Sequence, residues 1–329
     1  VRATIKSIAR DLGISHMTVS RALSGSERVQ ADTRRRVMDH AVKVGYVKSS
    51  AAITMRGDPT AIVGLLLPNI INEFYARFAN SLGTLCADAG FDLVIHLTND
   101  DYRQETACLT RLHALQARMV VRVPAPRPKK EAMAQPAGTP VIDLIRHRPE
   151  DDCVGTLMID DGPSIQAAVK HLIDRGYRRV AYIGAAEILS SGQQRLKAFT
   201  DALGNRHDPP DASLVRTGAP SYAMGRHSMD DLLETASPPD ALVCGGFEIS
   251  NGALDACLAR GIHLPDQLAF IGYGDPSFYR WIAGGITTIV LSEHDVASRA
   301  IEMMTRDADR PLAEPAQVVS TSLVMRRSA

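Results

Sequence analysis

The segment GISHMTVSRALSG, residues 13–25, carries side chains suited to reading a molecular edge rather than to breaking a bond. At helical spacing His16, Met17 and Arg21 fall on one side of a short helix, and Val19 and Leu23 on the other. Arg21 brings a planar fork that pairs with the two acceptors of a guanine edge or with a phosphate. Thr18 and Ser20 bring hydroxyls that donate to phosphate oxygens. Catalytic and metal-binding patterns are thin elsewhere. The chain has no H-E-x-x-H, G-x-S-x-G, Walker A or paired-cysteine motif, and its 10 histidines are dispersed. Gly272-Tyr273-Gly274 begins like a dinucleotide loop, but its third glycine position is Ser277. The expectation is a protein with no enzymatic activity, no metal and no cofactor. An α/β enzyme fused to a DNA-binding unit is the remote alternative.

The elements that must hold those side chains are legible around them. Thr4 is placed to cap a helix over residues 5–12, with Ile5, Ile8 and Leu12 as its apolar stripe. Gly13 permits the left-handed turn that ends it, and Ser15 caps the next helix, residues 16–23. A third helix fits residues 31–44, with Val37, Ala41 and Val44 inward and Arg34, Arg35 and Arg36 on its outer side. Net charge is zero over 329 residues, yet residues 1–58 hold 11 Lys/Arg against 5 Asp/Glu. A small basic unit on a mildly acidic body points to a polyanionic partner. Two short helices joined by a tight glycine turn, followed by a third, form an all-α helix-turn-helix unit whose second helix lies in the major groove.

From Ala61 onward strand and helix patterns alternate: AIVGLLLP, FDLVIHLT, RMVVRV, TPVIDLI, RRVAYIG, ALVCGG and LAFIGYG read as strands, most followed by a helix. Such alternation predicts an α/β body with parallel sheets, and about 270 residues suit two of them. Ligands in such folds bind beyond the carboxyl ends of the strands. Hydrophobic content of 45% and charged content of 22% are those of a globular protein, and no apolar run approaches a membrane span. Cys86, Cys108, Cys153, Cys244 and Cys257 are odd in number and scattered, which suggests reduced thiols in a cytoplasmic protein. The N-terminus shows no signal-peptide core, and its first residue, Val1, suggests slight trimming.

TIKSIARDLGISHMTVSRALSG, followed by TRRRVMDHAVKVGY, resembles the N-terminal signature of the LacI/GalR family of bacterial transcriptional repressors. The likeness continues through HLIDRGYRRVAYIG, QQRLKAF, IGYGDPSF, ITTI and LVMRRS in family order. It implies a helix-turn-helix domain at 1–46, a hinge helix or linker at 47–60 and an effector-binding, dimerising body at 61–329. The body would have two periplasmic-binding-protein-like subdomains linked by three chain crossings. The first would span about 61–158 and 290–318, the second about 159–289 and 319–329. The partners implied are double-stranded operator DNA, a small-molecule effector and a second copy of the chain, with no membrane. Thr4, Ser15, His16, Met17, Thr18, Ser20 and Arg21 would face the DNA. In the hinge, VKSSAAITMRG puts Lys48 where the family has proline, leaves Ser49 as a cap, and puts Met55 at the minor-groove wedge normally held by leucine.

The body departs from the family pattern in its cleft. Arg195 matches the arginine that binds effector hydroxyl or carboxylate groups. The family's Asn-Asp pair becomes Gly246-Phe247, the first aspartate of G-[FY]-D-D becomes Gly274 and leaves Asp275, and the aspartate expected after TPVIDL becomes Ile145. Acceptors for neutral-sugar hydroxyls are missing, while Arg122 and Arg146 stand at strand ends. An arginine excess favours an acidic ligand, because a guanidinium pairs bidentately with a carboxylate. The recognition helix HMTVSR, Asp143 and GYGD also resemble the gluconate-repressor branch of the family. These features point to a sugar acid such as gluconate or ketogluconate, held by Arg122, Arg146, Arg195 and Asp275 with Phe74, Tyr75 and Trp281 as stacking faces. A neutral sugar or sugar phosphate is the alternative effector. Each arginine is alternatively a structural ion-pair partner.

Overall fold

A computed structural model of the chain describes residues 3–26, 28–46, 60–126, 138–149, 151, 153–204, 211–305 and 317–329. The chain divides into two compact units, residues 1–60 and 61–329. In the first, α1 (Ile5–Leu12), α2 (His16–Leu23) and α3 (Ala31–Lys43) close on one small core. Ile8, Ala9, Val19, Ala22, Val29, Val37 and Ala41 form it. Local chemistry sets the boundaries. Thr4 accepts from the Ser7 amide at 3.1 Å, and the Thr4 amide donates back to Ser7 Oγ at 2.9 Å. Gly13 ends α1 with φ of +68°, a conformation costly for any residue bearing a Cβ. Ser15 then caps α2 by accepting from the Thr18 amide at 3.0 Å. A cap of this kind contributes about 1 kcal/mol, a meaningful share for helices of eight residues.

The second unit alternates strand and helix. It runs β1 (Ile62–Leu67), α4 (Glu73–Asp88), β2 (Asp92–Leu97), α5 (Tyr102–Ala114), β3 (Met119–Arg122), β4 (Val141–Leu144) and β5 (Gly155–Asp160). It continues with α6 (Gly162–Asp174), β6 (Val180–Ala185), α7 (Ser190–Gly204), β7 (Val215–Gly218), α8 (Tyr222–Leu233), β8 (Ala241–Gly245), α9 (Phe247–Ala259), β9 (Ala269–Tyr273) and β10 (Thr287–Val290). Last come α10 (Glu293–Thr305), β11 (Gln317–Ser320) and β12 (Ser322–Val324).

These strands form two six-stranded sheets, ordered β11-β5-β4-β3-β1-β2 and β12-β10-β9-β8-β6-β7. All pairings are parallel except β10 with β12. Central strands such as β8, ALVCG, are buried along their whole length, as expected when helices cover both faces. The chain passes from the first sheet to the second after Asp160, returns after Val290, and crosses again after Ser320. Each sheet with its helices is one subdomain. The carboxyl ends of β4, β8 and β9 therefore open onto one cleft, with side chains supplied from both sheets.

Arg34 takes a different role from its neighbours in α3. It is half-buried and donates through Nη2 to the Ser26 carbonyl at 2.7 Å, pinning the loop that follows α2. Arg36 stays exposed, and exposed Arg35 pairs with Asp32 at 2.9 Å.

Candidate functional site

In the N-terminal unit, α2 buries Val19 and Ala22 and leaves His16, Met17 and Arg21 exposed. Met17 is 52% exposed, unusual for a large apolar side chain on a helix this short. Met17 and Arg21 lie one turn apart, so both project from the same face. Thr18 and Ser20 are half-buried at its edges. The hydroxyls of Ser15 and Thr18 lie 2.8 Å apart and hold each other in place. Thr4 and Ser15 are exposed helix caps, so their hydroxyls already serve α1 and α2. Exposed Lys6, Arg10, Arg21, Arg28 and Arg36 surround these helices with positive charge. Met55, Lys48 and Ser49 lie outside the described residues.

In the body, a cavity of about 490 Å³ lies between the two sheets. That volume suits a small metabolite. Phe74 and Tyr75 from α4 and Arg146 after β4 line it from the first subdomain. Arg195 from α7, Phe247 from α9 and Tyr273 from β9 line it from the second, and Asp275 and Trp281 complete its mouth.

Arg195 is buried and held on three sides. Its Nε donates to Asp161 at 2.6 Å, Nη1 to the Gly245 carbonyl at 3.1 Å, and Nη2 to the Tyr273 hydroxyl at 2.7 Å. The guanidinium also lies 4.3 Å from the centre of the Tyr273 ring. Burial disfavours its charge, but Asp161 and Tyr273 outweigh that effect and hold the group above its ordinary pKa. Arg195 is thus a fixed cation, partly neutralised by Asp161.

Arg146 is arranged differently. It is also buried, and Nη1 donates to Asp100 at 2.5 Å and to the Pro124 carbonyl at 3.3 Å. Among the described residues, its Nε and Nη2 have no protein acceptor. A turn brings it there. Ile145 has φ of +65°, rare for a β-branched residue, and reverses the chain immediately after β4.

Arg122 is not a ligand-binding residue of this cavity. It is fully buried at the end of β3, donating from Nε to Asp143 at 2.7 Å, from Nη1 to Glu105 at 2.9 Å and from Nη2 to Asp151 at 2.7 Å. Three carboxylates take one nitrogen each, and the side chain does not line the cavity. Asp275 does line the cavity, but both its oxygens are engaged by Arg326, at 2.6 and 2.8 Å. Its burial penalty is outweighed by Arg326 and Arg280, so its carboxyl sits below the usual range and stays ionised. Phe74 has two roles: it lines the cavity and stacks on Phe78 at 6.3 Å within the core.

Two departures from the family pattern prove to be one packing arrangement. Gly274 has φ of +84°, and a Cβ built there would come within 2.0 Å of the Phe247 ring. A side chain at 274 would therefore require the Phe247 ring to leave the place it occupies. Phe247 opens α9, whose cap Gly246 provides no side-chain hydrogen bond, and Glu248 in its first turn also lines the cavity.

Sequence reasoning missed Asp161, Tyr273 and Asp100, which hold the two cavity arginines, and Arg280 at the mouth. Asp161 follows the carboxyl end of β5, and that position was a usable signal.

Residues 4–49 match the family described as bacterial regulatory proteins, lacI family, and residues 169–329 match the periplasmic binding protein-like domain. The HTH-type transcriptional regulator GalR of Salmonella typhimurium (strain LT2) is 27% identical over 99% of this chain and 96% of its own length. Catabolite control protein A of Priestia megaterium is 23% identical over 93% of this chain and 92% of its own. Among solved structures, the lac repressor dimer bound to operator and the anti-inducer ONPF superposes with a TM-score of 0.84. It shares 17% identity over 100% of this chain and 99% of that one.

Proposed function

We propose that the chain is an operator-binding repressor of the lacI family of bacterial regulatory proteins, controlled by a sugar acid of the gluconate or ketogluconate type. It is a DNA-binding transcriptional regulator under effector control rather than an enzyme. Dimers are the working unit of the family, so two copies of α2 would read a palindromic site. In this reading His16, Met17 and Arg21 meet base edges, Thr4, Ser15, Thr18 and Ser20 contact phosphates, and Met55 is the minor-groove wedge. Residues 47–60 form the hinge between the DNA-binding domain and the body. Effector binding shifts the equilibrium between subdomain arrangements only by its differential affinity for them, and that shift changes operator affinity.

Arg21→Ala should cost about 1–3 kcal/mol of operator affinity if the guanidinium makes a bidentate base contact. The loss should concentrate at one base-pair position of the site, measured by anisotropy on operator variants. A uniform loss across all sequences would reassign Arg21 to a phosphate.

One observation carries the acid assignment: Arg146 is buried at the cavity wall with two nitrogens unclaimed by protein acceptors among the described residues. A carboxylate there would meet a guanidinium edge. The hydroxyl-binding Asn and Asp side chains absent at Gly246, Gly274 and Ile145 agree with this. A second reading, a neutral sugar, has its own support. Arg195 and Arg146 are each already paired with an aspartate, and Trp281, 76% exposed at the mouth, offers a stacking face.

Thermal-shift comparison of hexonates and ketohexonates with the matching neutral sugars and sugar phosphates separates these readings. At a hundred times its dissociation constant the true ligand adds about 2.7 kcal/mol. At roughly 2–4 °C per kcal/mol that is a rise of about 5–10 °C in Tm. Arg146→Ala should remove the response to the acid. An equal response to the neutral sugar sinks the carboxylate assignment.

A further inference from the structure

We propose that Asp143, His147 and Cys153 form a binding site for a divalent transition metal of the zinc type, outside the effector cavity. The ligating atoms of these three residues lie within 4.8 Å of one another. Oxygen, nitrogen and sulfur from Asp, His and Cys are the donors Zn²⁺ prefers. Two ligands of one tetrahedral zinc ion stand roughly 3.5 Å apart, given bond lengths of about 2.0–2.3 Å. His147 Nδ1 and Asp143 Oδ2 are already 3.4 Å apart, which is long for a hydrogen bond and right for a shared ion.

The surroundings prepare the cluster for a cation. Arg122 takes Asp143 Oδ1 at 2.7 Å and so turns Oδ2 toward the histidine. Such outer partners orient first ligands at metal sites. Around Arg122, the buried network joins three carboxylates, Glu105, Asp143 and Asp151, to two guanidiniums, Arg122 and Arg148. Cys153 would lose its thiol proton to solvent on binding and ligate as the thiolate. His147 and Cys153 are only half-buried, which leaves an entry path and room for water as a further ligand.

The same local fold explains why these residues meet. The left-handed turn at Ile145 sends Arg146 to the cavity and brings His147 back beside Asp143. The His147 amide also donates to Ser190 Oγ of the second subdomain at 2.9 Å. An ion on His147 would therefore fix the segment that carries Arg146 and touches both subdomains. The D-x3-H-x5-C spacing matches no familiar metal motif, so no metal was expected from the sequence.

The test is titration of the untagged, metal-free full chain with Co²⁺, followed by displacement with Zn²⁺ against a chromophoric chelator. One ion per chain and a thiolate-to-cobalt charge-transfer band are expected. Cys86, Cys108, Cys244 and Cys257 are buried and outside the cluster, so the band reports Cys153. Cys153→Ser should abolish the band, and His147→Gln should weaken binding by more than about a hundredfold, beyond the loss of an outer partner. Both sites are half-buried, and unchanged metal-free unfolding curves would show that the variants fold. No band with the unaltered chain, or an unaltered band and affinity in either variant, overturns the proposal.

Discussion

Replacing Arg122 by alanine should destabilise the body by about 3–5 kcal/mol, the usual cost of removing one partner from a buried ion pair. The reason is the company it keeps. Asp143 is fully buried and has Arg122 as its only guanidinium partner among the described residues. Glu105 and Asp151 retain Arg148 but lose the guanidinium they share with Asp143. Carboxylates stranded in that environment must be protonated or hydrated, and either outcome loosens the packing of β3, β4 and α5. Arg122→Lys should recover little, because a single ammonium does not span three carboxylates approached by three separate nitrogens. Urea denaturation measures this directly. A loss below about 1 kcal/mol, the range of exposed pairs, would show that the cluster is looser than the geometry implies. The comparison with Arg146 is informative. Arg146→Ala should act on ligand response, whereas Arg122→Ala should act on stability.

Operator affinity should fall by about a thousandfold to a hundred-thousandfold between roughly 50 and 200 mM salt, the behaviour of proteins that neutralise about 6–10 phosphates. The N-terminal unit has the means, because Lys6, Arg10, Arg21, Arg28 and Arg36 are all exposed and a dimer doubles them. Arg36→Ala should lower the slope of log affinity against log salt by roughly one for each phosphate no longer neutralised. Arg34→Ala should leave the slope unchanged and lower stability instead, because that guanidinium is spent on the Ser26 carbonyl. Anisotropy titrations across salt concentrations check both. A flat salt dependence would remove the polyanion as the partner of this unit.

Much of the fold was readable without coordinates, for a physical reason. The helix-turn-helix unit depends on interactions between residues three or four apart: Thr4 with Ser7, Gly13 closing α1, and Ser15 with Thr18. Such signals sit inside a short window of sequence. The parallel sheets announced themselves similarly, since a strand buried on both faces must be apolar throughout, as β1 and β8 are. The outward set on α2 also follows from periodicity: Val19 and Leu23 mark the inner side, where the structure buries Val19 with Ala22, packs half-buried Leu23 against that core and leaves His16, Met17 and Arg21 exposed.

The roles of the arginines were decided only by tertiary structure. Arg122 and Arg146 look alike in sequence, each near the carboxyl end of an apolar strand. What separates them is the supply of acceptors. Glu105, Asp143 and Asp151 reach Arg122 from 17, 21 and 29 residues away and leave none of its nitrogens free. Among the described residues Arg146 receives only Asp100 and one carbonyl, and its other two nitrogens have no protein acceptor. Asp275 is likewise claimed by Arg326, 51 residues on, and Tyr273 reaches Asp161 across 112 residues. Residue type sets what a side chain can bind, and the distant chain brought against it sets what it has left to offer a ligand.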